Sequence, residues 1–225
     1  MLVLIVLAPF TILPALLESA VARILKDQLG LRETPEVEIE SSPAPVMYAG
    51  NFSKALVSIE ELAFGGVETK KVVMELDPVD VNLVESVTSG VLSTAQPPSG
   101  TLHVELSEES ALRLAQAGSG VPVSDIEFEE GQVVLSLALG FGSPTSVRGR
   151  LFLRDELLIF EPQQVEEAPE LVTAEQVLAV TGFAYPASGL PFASSGLPFG
   201  VEVSGVKVRK DSLTLSGEIQ NIPVG

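Results

Sequence analysis

The spacing of apolar residues after Gly30 is the feature that most constrains the fold of this chain. Over most of that length, apolar side chains recur at every second position, a pattern typical of β-strands with one buried face. Short turns rich in charged residues, Gly or Ser separate neighbouring runs, and they predict hairpins over residues 126–139, 147–160 and 201–219. Consecutive hairpins of this kind predict antiparallel sheet rather than a helical bundle.

Further strands and two short helices complete the expected fold. The alternation predicts earlier strands around Val37–Ile39, Val57–Phe64, Val72–Leu76 and Thr101–Leu106. A change of phase within the last hairpin predicts a β-bulge near Gly205. Helices are predicted at Ser107–Ala117 and Thr173–Val180, because each begins with a hydroxyl residue suited to capping a helix N-terminus. Long antiparallel strands with a few helices place the chain in the α+β class.

The N-terminal segment Met1–Leu17 is apolar and carries no charged side chain. It contributes about half of the summed hydropathy, and as a helix it would be about 25 Å long, slightly short of a hydrocarbon core of about 30 Å. Ala20-Val21-Ala22 follows with the small-x-small form of a signal-peptidase site. Residues 1–22 are therefore predicted to be a cleaved signal peptide or a retained membrane anchor, with a buried core helix as the third alternative. Residues 23–225 are expected to form a single domain.

Glu18–Leu29 continues as an amphipathic helix that Gly30 is expected to end. Its apolar stripe must pack either on the following domain or on a membrane surface. Basic residues follow the apolar segment and none precedes it, the reverse of the order in an exported chain. This order predicts an upstream translation start that adds a basic segment.

Composition excludes several classes of function. Lys and Arg number 13 against 30 Asp and Glu, so the net charge of −17 argues against nucleic-acid binding. Cysteine is absent and histidine occurs once, which excludes thiol catalysis, disulfides and multi-histidine metal sites. The chain has no nucleophile elbow and no phosphate-binding loop. We therefore expect no catalytic residues, no metal and no cofactor.

Two groups of polar residues have alternative interpretations. The acidic run Asp125, Glu127, Glu129 and Glu130 could ligate Ca²⁺ or form a solvated strand face. His103 lies between two inward-facing positions of its strand, so it is expected on the solvated side.

Leu197-Pro198-Phe199-Gly200 leads directly into the strand Val201–Val208 and a short turn. With the apolar N-terminus, the helix led by Ser107 and the Arg150–Pro162 hairpin, this arrangement resembles the bacterial LmeA-like phospholipid-binding family over nearly the whole chain. The resemblance implies a non-enzymatic envelope protein that binds phospholipid. It also implies a tubular lipid-binding type of fold, in which a long twisted antiparallel sheet wraps around a long N-terminal amphipathic helix.

The sequence departs from the family pattern in one place. Ser188-Gly189-Leu190-Pro191-Phe192 recurs as Ser195-Gly196-Leu197-Pro198-Phe199, which is a local duplication of the motif. Only the second copy enters a strand directly. The role of the first copy is open.

In a tube-like sheet the inward side chains would line an acyl-chain channel or, equally, fill a dry core. The candidate lining residues are Phe128, Val133, Leu135, Leu137, Leu139, Leu151, Leu153, Phe199, Val201 and Val203. Basic residues are few, and four of them are candidates for contact with a lipid headgroup or a membrane because guanidinium groups bind phosphate well. They are Arg148, Arg150, Lys207 and Arg209. Ordinary pairing with Glu on a neighbouring strand is the alternative.

The sequence thus predicts a phospholipid-binding or lipid-carrying protein on the extracytoplasmic face of the bacterial cytoplasmic membrane, anchored or secreted. Its expected partner is phospholipid or a membrane surface, with acyl chains in an apolar channel and the headgroup near the Leu-Pro-Phe-Gly loop. The alternative is a structural or partner-binding envelope protein with a filled core. A continuous cavity of several hundred Å³ would favour the first function, and a packed interior the second.

Overall fold

A computed structural model describes residues 2–41, 49–64, 67–96, 98–118, 120, 122–138, 144–167, 173–190 and 200–220. The side chains of residues 2–14, 64, 118, 167, 180, 189, 200 and 220 lie outside this description.

The described residues form helices and antiparallel strands of the α+β class, as predicted. The helices are α1 (Leu2–Leu29), α2 (Leu83–Ser89), α3 (Glu108–Gly118) and α4 (Ala174–Thr181), with a 3₁₀ turn at Ala187–Gly189. The strands are β1 (Glu36–Glu40), β2 (Asn51–Phe52), β3 (Lys54–Glu60), β4 (Ala63–Phe64), β5 (Val67–Glu68), β6 (Lys71–Leu76), β7 (Val79–Asp80), β8 (Gly100–Leu106), β9 (Val123–Glu129), β10 (Gln132–Leu137), β11 (Thr145–Arg154), β12 (Leu157–Glu167), β13 (Phe183–Pro186), β14 (Gly200–Arg209) and β15 (Ser212–Gln220).

Two antiparallel sheets carry most of the core. A six-stranded sheet has the order β1-β3-β6-β8-β15-β14, and a five-stranded sheet has the order β13-β12-β11-β10-β9. They meet where β14 passes close to β9, β10 and β11. Two backbone hydrogen bonds join the hairpin turns there, from Gly131 N to Val208 O and from Asp211 N to Phe128 O.

The six-stranded sheet buries one face and leaves the other in solvent. Along β3, Ala55, Val57 and Ile59 are buried while the residues between them are less so, and the neighbouring strands alternate in the same way. The buried face is covered by α1 on its β1 side and by the five-stranded sheet on its β14 side. The period of two seen in the sequence is therefore the alternation between core and solvent.

Several local predictions are confirmed, with identifiable causes. Glu61 adopts a left-handed φ of 54°, which ends β3 and produces the change of phase at that point. The predicted bulge lies between Val203 and Gly205. Ser107 accepts a hydrogen bond from Ser110 N at the start of α3, and Thr173 forms a capping box with Gln176 at α4.

Helix α2, strand β13 and the two-residue strands β2, β5 and β7 were not predicted. Helix α2 has seven residues, which is too short for a helical period to stand out. Strand β13 has four residues and ends in Pro186. Proline removes a backbone donor and confines this segment to the edge of a sheet, which is where β13 lies.

Helix α1 packs on the domain that follows it. It runs antiparallel to β1, and the Glu18 carboxylate accepts a hydrogen bond of 3.2 Å from Ile39 N. Val21 and Ala22 are buried, and the helix ends before Gly30, which has a left-handed φ of 63°. Of the two packing alternatives for the apolar stripe, contact with the domain is the one observed. No helix within the described part of the chain is both long and apolar enough to cross a membrane.

This packing bears on the small-x-small sequence at residues 20–22, because cleavage after Ala22 would remove two core side chains. We expect a chain that begins at Ala15 to keep the core intact and one that begins at Arg23 to be destabilised. The loss should be about 3 kcal/mol or more, which corresponds to a fall of about 6–12 °C in Tm. Thermal unfolding followed by circular dichroism checks this, and equal Tm values for the two chains would contradict it.

Candidate functional site

An apolar cavity of about 60 Å³ lies between the two sheets beneath α3. Its walls come from the last residue of β8, the start of β15, helix α3 and all five strands of the five-stranded sheet. The lining side chains are aliphatic or aromatic, and Tyr185 is the one that carries a polar group. An interior of this kind is suited to an apolar occupant.

Four of the predicted lining residues line this cavity: Phe128, Val133, Leu135 and Leu151. Three others, Leu137, Val201 and Val203, are buried elsewhere in the core, and Leu153 is half-buried against it. Leu139 and Phe199 lie outside the described residues.

The remaining lining residues were missed because they lie on elements that come together only in the folded chain. Leu190 belongs to the first Leu-Pro-Phe copy, is 1% exposed and contributes to the wall. Strand β12 contributes Leu158 and Phe160, whose alternation mirrors that of the paired strand β11. The mirrored alternation could have identified Leu158 and Phe160 as lining residues. Nothing in the sequence indicated the strand β13 or the burial of Leu190.

Among the described residues, Phe160 is the largest fully buried side chain, and it lines the cavity from β12. Its ring lies against Gly149, where a Cβ would come within 2.6 Å of the ring carbon Cζ. On the other side Phe183 stacks on it, with the ring centroids 5.5 Å apart and the planes 21° apart. Glycine at position 149 is therefore what lets the aromatic pair close the wall.

Exposure of the lining residues shows where the cavity approaches solvent. Most of them are buried, but Leu114 and Ala115 on α3, Leu151 on β11, and Phe183 and Tyr185 on β13 are half-buried. The gap between α3 and β13 is therefore the mouth of the cavity.

Arg148 is held by carboxylates on the outer face of the five-stranded sheet. Its guanidinium forms ion pairs with Glu129 and with Glu166, the latter at 2.5 Å, and donates a hydrogen bond to Gln132. Two hydrogen bonds raise the pKa of Arg148 above its usual value, the larger effect coming from Glu129 and the smaller from Glu166. Arg148 therefore pairs with Glu residues of other strands, which was the alternative to contact with a lipid headgroup.

The other three predicted cationic residues, Arg150, Lys207 and Arg209, are exposed. They alternate with buried residues along β11 and β14, so they project from the outer faces of the sheets, away from the cavity. They make no ion pair with any residue that the structure describes.

Other polar candidates lie on solvated surfaces. His103 is exposed, and its Nδ1 lies 3.0 Å from Ser216 Oγ on the outer face of the six-stranded sheet. Within the described residues, no group of three or more His, Asp or Glu side chains is arranged to hold a metal ion.

A second, polar cleft of about 660 Å³ lies beside the C-terminal end of α1. It is lined by charged side chains of both signs, with ion pairs of 3.3 Å between Lys70 and Glu105 and 2.6 Å between Arg113 and Glu109. Helix α3 separates this cleft from the apolar cavity, because Ser110 and Arg113 face the former while Ala111 and Leu114 face the latter.

A family model described as LmeA-like phospholipid-binding matches residues 11–218. The chain belongs to the LmeA-like phospholipid-binding family. No curated protein and no solved structure matches it. The match covers both sheets and α1 from Thr11 onward, so for this LmeA-like chain the family includes the residues before Ala20-Val21-Ala22. The resemblance inferred from the sequence is thereby confirmed.

The wall formed by Phe160 predicts a specific sensitivity to added volume. Gly149→Ala should displace the ring and lower the stability by about 1–3 kcal/mol, the usual cost of overpacking. Gly205→Ala is the matched control, because its Cβ would meet nothing closer than Ser216 Cβ at 3.8 Å. Urea unfolding measures both changes, and a stable Gly149→Ala variant would show that the ring does not depend on this glycine.

Proposed function

We propose that this protein binds phospholipid non-enzymatically and holds acyl chains in the apolar cavity between its sheets. Membership of a family described as phospholipid-binding, over residues 11–218, carries the proposal. The lining supports it, because an interior of aliphatic and aromatic side chains gains about 0.8 kcal/mol for each methylene group that it removes from water.

The size of the cavity requires that it opens to take up lipid. Its volume of about 60 Å³ is well below the 300–1,000 Å³ of pockets that enclose small molecules, so the state described here is closed. The mouth between α3 and β13 is where we propose that it opens. Displacement of α3 would also join the apolar cavity to the polar cleft on its other side, giving acyl chains and headgroup adjacent compartments.

We further propose that the protein acts in the bacterial cell envelope, on the extracytoplasmic face of the cytoplasmic membrane. The apolar stretch Met1–Leu17 supports attachment to a membrane, and the family resemblance implies the envelope side. The burial of Val21 and Ala22 supports a retained anchor over a cleaved signal peptide. In this proposal the sheets and α1 form a variant of the tubular lipid-binding fold, with α1 along the β1 edge of the six-stranded sheet.

One observation favours the alternative of a structural or partner-binding envelope protein. The small volume of the cavity means that the interior is largely filled, as it would be in a protein that acts through its surface. The two functions differ in whether purified protein carries lipid.

Enlarging a side chain at the mouth separates these functions. Ala115→Trp should obstruct the cavity and reduce phospholipid binding, whereas Ala117→Trp, on the exposed side of α3, should leave it unchanged. Excluding two methylene groups, at about 0.8 kcal/mol each, corresponds to about a tenfold loss of affinity. Native mass spectrometry of the full chain, released from detergent, counts the bound phospholipid.

Three outcomes are informative. Bound lipid in the original chain and in Ala117→Trp, but not in Ala115→Trp, supports the cavity as the site. Equal lipid binding in both variants would place the site elsewhere. Absence of lipid from the original chain, with no uptake from labelled vesicles, would favour the alternative function.

A further inference from the structure

The exposed large apolar side chains of the described residues lie on α1 and on the segment of α2, and both elements reach the same end of the six-stranded sheet. They are Leu16 (60% exposed), Val84 (76%), Val87 (67%) and Val91 (50%). We call this end, where β1 ends at Glu40 and β8 begins at Gly100, the basal end. The four side chains are called the basal patch.

Leu16 reaches the basal end through the packing of α1. The Glu18 carboxylate is bonded to Ile39 N, one residue before β1 ends, and α1 runs antiparallel to β1. The helix residues before Glu18 therefore continue past this end of the sheet. The other end of α1, at Leu29, lines the polar cleft together with Glu60 and Glu105. Both glutamates lie at the end of the six-stranded sheet that is opposite the basal end.

The three valines reach the same end by a different route. Residues 77–99 leave the sheet where β6 ends and return where β8 begins, and Asp77 N donates to Ser99 O at 2.9 Å to close the excursion. Helix α2 lies within it, capped by Asn82. Val84 and Val87 are spaced by three residues, so they share one face of α2, and Val91 directly follows Gly90, which ends the helix.

The segment that carries the valines has almost no charge of its own to desolvate. Charged residues make up 19% of the chain, yet residues 81–102 contain one, Glu85. The Glu85 carboxylate accepts hydrogen bonds of 3.0 Å from Asn82 Nδ2 and 2.8 Å from Ser93 Oγ. Because desolvated charge is the main cost of entering a membrane interface, this segment can approach lipid cheaply.

We propose that the basal patch rests on the surface of a lipid bilayer, while the apolar stretch before Leu16 enters the hydrocarbon. The backbone of α1 continues before Leu16 past the basal end, and the sequence of that stretch is apolar and uncharged, so a bilayer that this stretch enters would lie at the basal end. This position of the N-terminal stretch argues for a bilayer rather than a second copy of the chain as the occupant. Contact depends on apolar burial, so it does not require anionic lipid, which would repel a chain of net charge −17. The proposal stands independently of lipid binding in the cavity.

The absence of cysteine makes single-site labelling clean. In the full chain, Val84→Cys and Val87→Cys each carry a polarity-sensitive nitrobenzoxadiazole label, and the protein is reconstituted into phosphatidylcholine vesicles. Lys210→Cys is the control, because it is exposed in the turn between β14 and β15 at the opposite end. We expect a blue shift and quenching by spin-labelled phosphatidylcholine at positions 84 and 87, and neither effect at 210.

Each other result would overturn the proposal. A chain that floats with the vesicles while both α2 labels remain in a water-like environment would show that α2 does not touch the bilayer. Failure of the chain to float with the vesicles would exclude bilayer contact altogether. A blue shift that appears in detergent without vesicles, and grows with protein concentration, would assign the patch to a second copy of the chain.

Discussion

The structure depends on covering one apolar face of the six-stranded sheet. Every strand of that sheet presents buried apolar side chains on one face and less buried, mostly polar ones on the other, and a sheet of this kind is stable only against a second layer. Two different elements supply the layer. Helix α1 covers the side of β1, the first strand of the sheet, and the five-stranded sheet covers the side of β14. The apolar cavity lies under α3, where the five-stranded sheet leaves the β8–β15 pair incompletely covered.

This division makes the second half of α1 part of the core. Its residues Val21 and Ala22 belong to the same core as the strands, and its Glu18 satisfies a backbone donor of β1 that faces no further strand. An edge strand with unpaired donors invites aggregation, so this bond also protects the edge. The family match, which begins at residue 11, includes the same helical residues.

Much of the fold was predictable because its signals are local. The long strands, their hairpins, the bulge near Gly205 and the caps of α3 and α4 all follow from alternation or from single residues at turns. The site was only half predictable, because its wall is assembled from distant segments. Phe128 and Leu135 lie on a strongly alternating hairpin, whereas Tyr185 lies on a strand that pairs with β12 and Leu190 follows a turn that packs on β14. Alternation predicts which side of a strand is apolar, but it does not predict whether the facing layer fills the space.

The positions of the cavity and the basal patch together constrain any lipid exchange. Leu106, in the cavity wall, is six residues along β8 from Gly100 at the basal end, about 20 Å at 3.3 Å per residue. With the basal patch on a bilayer, the cavity would stand off from that bilayer rather than open into it. An acyl chain crossing the gap through water would lose about 0.8 kcal/mol for each exposed methylene group. A domain held in this way is therefore better arranged to exchange lipid with a partner or an opposing surface than with the membrane beneath it, unless α1 bends and lets the domain tilt. Pro9 and Pro14, which precede the packed part of α1, are the residues at which such a bend is expected.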